Sequence, residues 1–198
     1  MLAQETRRQI AESARQLFIE RGYDGSTIDA IAQAAGVASE TVYVIFGSKR
    51  SILKHLMDIS IGGDDLPVRL MDRPEPQAVL HETDPVRQIM MFSHGITEIL
   101  VRVAPLFEVL RSTAKTDDEI ARLLQHMLKE RLDNMTMFTQ HVAKNNGLRQ
   151  GLDIATATDL VWTITSPEVF LLLTRDRKYS VEQYTVWLQS TLSHLLIP

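Results

Sequence analysis

The sequence predicts an all-α protein, with an N-terminal three-helix helix-turn-helix domain over residues 1–48 joined to a larger helical domain over residues 49–198. Three observations lead there. Apolar residues recur at helical spacing through nearly the whole chain. No stretch alternates apolar and polar residues as a half-buried strand would. Caps of Ser, Thr and Asp, with glycines and prolines between them, punctuate the chain where helices should begin and end.

Taken in order, residues about 4–21 place Ile10, Ala14, Leu17 and Phe18 on one face, and Gly22 ends the run. Helices at about 28–35 and 39–46 follow. Ser48 reads as the N-cap of a fourth helix with Ile52, Leu53 and Leu56 on one side. That helix carries the domain boundary, so no flexible linker is expected. Residues 62–85 hold Gly62, Gly63, Pro67, Pro74, Pro76 and Pro85 and read as a long loop. A helix then runs to about 103, Pro105 interrupts it, and a short helix reaches about 114. Thr116 and Glu119 form a capping box for a long helix to about 145, closed by Asn145, Asn146 and Gly147. Asp153 caps a largely apolar helix to about 174, which Pro167 should kink. Ser180 and Gln183 open the last helix.

Residues 26–50 are the most informative stretch. Ile28, Ile31, Ala32 and Ala35 share one helical face, and Gly36 supplies a turn residue able to take positive φ. Val42, Ile45 and Phe46 make the inner side of the next helix. Ala32 is small where two helices must cross closely. On the outer side, Ser39, Glu40, Thr41 and Tyr43 offer short hydrogen-bonding groups and a phenol, suited to base edges and phosphates. Thr27 and Lys49 sit at helix starts, where backbone N–H groups already favour phosphate; capping and a solvated lysine are the plainer readings. Glu40 is repelled by phosphate. Either it accepts from a cytosine amino group or it points along the surface and tunes preference.

The run T-I-x-x-I-A-x-x-A-G-V-x-x-x-T-V-Y-x-x-F-x-S-K, preceded by L-F-x-x-x-G-Y, resembles the N-terminus of TetR-family transcriptional regulators. Leu17, Phe18, Gly22, Tyr23, Thr27, Ile28, Ile31, Ala32, Ala35, Gly36, Val37, Thr41, Val42, Tyr43, Phe46, Ser48 and Lys49 carry the match. It covers about a quarter of the chain. Looser likeness extends to T-S-P-E-V-F (165–170) and Y-S-V-E-Q-Y-T-V-W-L (179–188), which look like family members with unassigned ligands. Ala38 departs from the serine often found there and removes an N-cap oxygen, at about 1 kcal/mol. The resemblance implies a homodimer on a palindromic operator, released by a small-molecule effector.

Composition narrows the alternatives. Cysteine is absent, which excludes disulfides, thiolate nucleophiles and cysteine metal sites and suits a reducing cytoplasm. Net charge is −4, yet residues 1–50 hold six basic and six acidic side chains, so the body carries the whole deficit. A neutral head on an acidic body suits a protein that meets DNA at one end only. Its basic surface would come from Arg7, Arg8, Lys49, Arg50 and Lys54. No uninterrupted apolar segment of membrane-spanning length is seen, so no membrane partner is expected. His94 and Glu98 form a lone pair, so no metal site is expected. Neither a phosphate-cradling glycine loop nor a serine elbow is present, and no catalytic residue or cofactor is expected.

In the body, Phe92, Phe107, Met127, Arg131, Met135 and Trp162 are the candidate lining of an effector pocket. They are polar and aromatic groups set into apolar faces. Arg131 lies inside such a face. It is either the cation of that pocket or one half of an internal ion pair with Glu168 or Glu98. The apolar surplus around Phe170, Tyr184, Trp187 and Leu188 marks a candidate dimer interface. The rival reading is a helical small-molecule enzyme or carrier whose N-terminal hairpin is incidental. A DNA-binding architectural protein without an effector is a third.

Overall fold

The computed structural model describes residues 2–145 and 147–198, with the side chain of Leu2 left aside. Among the described residues all regular structure is helical. Contacts divide the chain into two compact units, Met1–Asp65 with Pro105–Gln125, and Leu66–Ala104 with His126–Pro198.

The first unit opens with α1 (Leu2–Arg21), α2 (Ile28–Ala35), α3 (Ser39–Phe46) and α4 (Lys49–Gly62). α1 packs on α2 and α4, and α3 on α2 and α4. Ile10, Phe18, Ile31, Val42, Ile52 and Leu53 are fully buried. α2 begins where the Thr27 hydroxyl accepts from the Ala30 N–H at 3.1 Å. It ends at Gly36, whose φ of 66° lets Val37 N–H turn back to the Ala32 carbonyl at 3.0 Å. α3 starts at Ser39 behind an Ala38 that makes no side-chain cap. Ser39 does not replace that cap; its hydroxyl donates to Asp29 on α2 at 2.5 Å. Ser48 caps α4 through Ser51 N–H. Buried Ile52, Leu53, Leu56 and Met57 hold α4 in this unit.

Four elements differ from the sequence-based expectation. The segment 62–85 is not loop throughout: a 3-10 turn (Leu70–Asp72) leads into α5 (Pro74–His81). Pro74 stands at the first helical position, where its missing N–H costs nothing. Pro105 does not interrupt; α6 runs unbroken over Pro85–Thr113 with the proline inside it. Its neighbours Ala104, Leu106 and Phe107 are buried, and their packing holds the helix together despite one lost hydrogen bond. By length and composition α6 is also apolar enough to cross a membrane, although charged residues such as Glu98 and Arg102 interrupt its apolar run. Ile89, Leu100, Val103, Ala104, Leu106 and Leu110 of α6 are buried in this protein.

α7 (Asp118–Lys144) is opened by Asp117, whose carboxylate accepts from the N–H groups of Glu119 and Ile120 at 3.0 and 3.1 Å. Thr116 instead donates to the Thr113 carbonyl, so the cap moves one residue on to Asp117, and Ile120 at the third helical position has no side-chain acceptor to complete a box. At the other end Asn145 donates to the Glu82 carbonyl at 3.0 Å. A Cβ on Gly147 would lie 2.8 Å from Pro85, so only glycine fits that close approach. Asn146, expected to share in this helix end, lies outside the described residues.

The second unit continues with α8 (Ile154–Ile164), α9 (Pro167–Leu171), a π turn (Leu172–Asp176) and α10 (Val181–Leu196). Pro167 does not kink one long helix. α8 ends, and Ser166 caps a new helix with Pro167 at its first position. Asp153 caps α8 and Ser180 with Gln183 forms a complete capping box on α10, as their spacing predicts. Phe92 stacks on Phe138 with ring centroids 3.9 Å apart, and Leu188, Leu192 and Leu196 are fully buried.

Candidate nucleic-acid interface and effector site

α2 and α3 present the candidate reading face. On α3, Glu40 is exposed, Ser39 and Thr41 are half-buried, and Tyr43 is 55% exposed. Val44, on the same side, is 85% exposed. Sequence reasoning passed over it because three inward apolar residues flank it. An aliphatic side chain held in solvent beside polar groups fits contact with a thymine methyl. The only sequence signal was its place one residue beyond Tyr43, off the inner stripe of Val42, Ile45 and Phe46.

The five cations expected to form a basic surface all have protein partners. The Arg7 guanidinium lies 4.6 Å over the Phe46 ring and donates to the Ile45 carbonyl at 3.4 Å. Lys49 donates to the Tyr23 carbonyl at 2.7 Å with its ammonium 4.0 Å over that ring. Burial holds the Lys49 pKa below the usual lysine range, and burial, with Asp117 adding to it, pushes the Tyr23 phenol up to about 12. Arg50 is clamped by Asp117, at 3.0 Å, and by Glu119. Arg8 and Lys54 pair with Glu5 and Asp58, but those pairs are open to water and weak, so both cations can exchange a carboxylate for a phosphate. Asp117 thus does two jobs that spacing did not reveal: it opens α7 and holds α4 through Arg50.

In the second unit, Arg131 donates through Nη2 to the Trp162 carbonyl and to the Thr165 hydroxyl, the latter at 2.9 Å, with its guanidinium 4.9 Å over the Trp162 ring. Thr165 in turn lies 3.9 Å from the Met135 sulfur. The structure therefore brings Arg131, Met135 and Trp162 together around Thr165, a residue the sequence reading missed. Phe92 is occupied by its stack on Phe138, and Met127 is half-buried. Phe107 belongs to the first unit, where Arg111 lies 5.3 Å over its ring.

Phe170, Tyr184 and Leu188, three of the four candidate interface residues, are 5%, 0% and 0% exposed within the single chain. They are core rather than contact surface: Phe170 meets the Tyr184 ring edge-on at 4.9 Å. The apolar surplus of these helices is consumed internally. Trp187 alone of the four stays partly exposed; Val181 and Val186 on the same helix, and Leu172 on the π turn, are exposed as well.

A short helix, a glycine turn at positive φ and a second short helix with an outward polar face define a helix-turn-helix DNA-binding regulator. Residues 10–56 match the family model described as bacterial regulatory proteins, tetR family. The HTH-type transcriptional regulator YdeS of Bacillus subtilis is 27% identical over 157 residues, covering 79% of this chain and 74% of that protein. NalD, the secondary repressor of the MexAB-OprM multidrug efflux pump in Pseudomonas aeruginosa, superposes with a TM-score of 0.71 at 18% identity, covering 98% of this chain and 97% of that one. FadR of Bacillus subtilis, crystallised with stearoyl-CoA, superposes with a TM-score of 0.69 at 20% identity over 94% and 97% of the two chains. Residues 10–56 are thus a DNA-binding region of the TetR family, and the chain as a whole is similar to transcriptional regulators of that family.

Proposed function

We propose that this protein is a homodimeric repressor that leaves a palindromic DNA site when a small molecule binds its helical body. The observation that carries the proposal is the head itself: α2 and α3 joined at Gly36, with Ser39, Glu40, Thr41, Tyr43 and Val44 facing outward. In a dimer two such helices would enter successive major grooves about 34–36 Å apart. Thr27 and Lys49 take phosphates at helix starts, and Lys49 exchanges its Tyr23 carbonyl for one. Residues 1–48 read DNA, while residues 49–198 receive the effector and form the dimer.

The effector site is assigned to Arg131, Met135 and Trp162, with Phe92 and Met127 of the same unit as further candidates. The dimer face is assigned to Trp187 with Leu172 and Val186. The repressor title of NalD and the ligand in the FadR crystal support the switch by likeness. The effector acts through its preference for one of two states. No enzymatic step is assigned, and the protein works where its DNA lies, in the cytoplasm.

Selection of bound sequences from random DNA tests the proposal. An inverted repeat whose half-sites are one helical turn apart is the expected outcome. Glu40→Ala should change preference at one position per half-site, while Lys49→Ala should weaken all sequences and reduce the salt slope by about one contact. Absence of any enriched sequence, with a clean monomer in light scattering, would remove the reading.

A further inference from the structure

The second unit holds two buried donors that its own side chains leave unmet. Trp162 Nε1 and the Tyr184 hydroxyl are both buried and have no hydrogen-bond partner among the described residues. Tyr184 is completely enclosed. Trp162 lies on α8 and Tyr184 on α10, two helices that pack together, and the Arg131 guanidinium lies 4.9 Å over the Trp162 ring. Leaving such groups unsatisfied costs free energy, and native exceptions call for a reason.

The chemistry of the missing partner follows from the donors. An indole N–H donates only, so its partner must be an acceptor. Burial pushes the Tyr184 phenol above its ordinary pKa, so it stays neutral and keeps its proton to donate. Arg131 is engaged with the Trp162 carbonyl and Thr165. The remaining surroundings are apolar or aromatic: Phe170 lies edge-on to Tyr184, Trp187 sits 5.8 Å from it, and Met135 touches Thr165. Two neutral donors in apolar walls match a carbonyl oxygen, which has two lone pairs and sheds water far more cheaply than a carboxylate.

We propose that this cluster recognises an uncharged lipophilic effector through a carbonyl oxygen, which accepts from Tyr184 and Trp162. The proposal rests on the reading of the second unit as the effector domain, and goes beyond it by naming the ligand's chemistry and the two groups that read it.

Three probes of nearly equal shape separate the possibilities: cyclohexyl methyl ketone, cyclohexanecarboxylate and isopropylcyclohexane, titrated by ligand-observed NMR against the full chain without DNA. The ketone should bind at least about fivefold tighter than the hydrocarbon, a factor within the reach of one neutral hydrogen bond, and the carboxylate no tighter than the ketone. Tyr184→Phe and Trp162→Phe should each bring the ketone-to-hydrocarbon ratio to within about twofold. Tyr184→Phe should also leave the melting temperature unchanged or raised, because it deletes an unmet group. The ratio is taken within each variant, so general damage cancels, and either variant suffices if the other fails to fold.

Equal affinity for ketone and hydrocarbon in the unaltered protein would overturn the proposal. So would a carboxylate that binds tightest. A ratio unchanged by both substitutions, with Tyr184→Phe lowering the melting temperature, would place a structural water on the hydroxyl and overturn it too. Because no DNA is present, failure here with sequence-specific DNA binding intact sinks the ligand assignment alone. A correct ratio without any effect of the ketone on DNA binding sinks the regulator reading instead.

Discussion

In the first unit every buried side-chain donor and acceptor among the described residues has a partner; in the second, Gln88 Oε1, Ser93 Oγ, Trp162 Nε1 and the Tyr184 hydroxyl do not. The head closes its polar groups on itself. Ser26 donates to the Gly22 carbonyl at 2.8 Å, Lys49 to Tyr23, Arg7 to Ile45 and Arg50 to Asp117. Such a unit holds one shape, as a surface that must match base edges requires. The body leaves polar groups open inside an apolar core, at a cost in stability, as a receptor requires. Rigidity and receptivity are thus separated along the chain.

The largest effect should come from Leu188→Ala. Leu188 is fully buried in the core of the second unit, so the substitution should cost about 2–5 kcal/mol. The loss should be the same at low and high protein concentration in thermal melts. A loss that grows on dilution would return Leu188 to a dimer interface and undo the contrast between a self-contained core and an outward face.

Asp117→Ala removes both the cap of α7 and a carboxylate of the Arg50 clamp. Amide exchange should quicken at Glu119 and Ile120, and DNA binding should weaken through α4. Thr116→Ala should do neither. Equal effects of the two would restore the capping box at Thr116.

Gly36→Ala tests the head. Nothing lies near a Cβ at this position, so the penalty is the positive φ alone, about 1 kcal/mol. DNA binding should fall further than that if α3 shifts, and an unchanged operator affinity would show that the turn tolerates a side chain.

The smallest effect is on pH. His55 sits against Phe46 and Arg7, and burial first, then the Arg7 charge, hold its pKa below the ordinary value of 6.5 against the opposing pull of Asp65 and Asp58. The unfolded chain therefore binds the proton more readily than the folded one. The stability due to neutral His55 is fully present above about pH 6.5 and is lost as pH falls through the folded pKa. Melting temperatures should drop between pH 7 and pH 5.5, and His55→Gln should flatten that dependence. The same slope in the variant would assign it to carboxylates.

The helices of the head were legible in the sequence because their signals are local. Thr27, Gly36 and Ser48 each act within four residues of themselves, so local spacing sets the bounds of α2 and α3 and the start of α4. The body yielded its caps at Asp153 and Ser180 for the same reason. What escaped depends on neighbours distant in the chain. Pro105 stays helical because packing outweighs its lost hydrogen bond. The partners of Arg131 stand 31 and 34 residues away, and no periodicity announces them. Phe170, Tyr184 and Leu188 looked like surplus because composition cannot say which apolar side chains cover one another. Val44 was hidden by its own kind.

The head is not one stretch of chain. Its unit takes Pro105–Gln125 from far downstream, and the Arg50 clamp closes only on Asp117 and Glu119. During synthesis α1 to α4 therefore emerge well before their last partners. At about 5–20 residues per second the ribosome needs several more seconds to deliver them. Over that interval the nascent reading head is incomplete, and it reaches its final form only alongside the body that is to govern it.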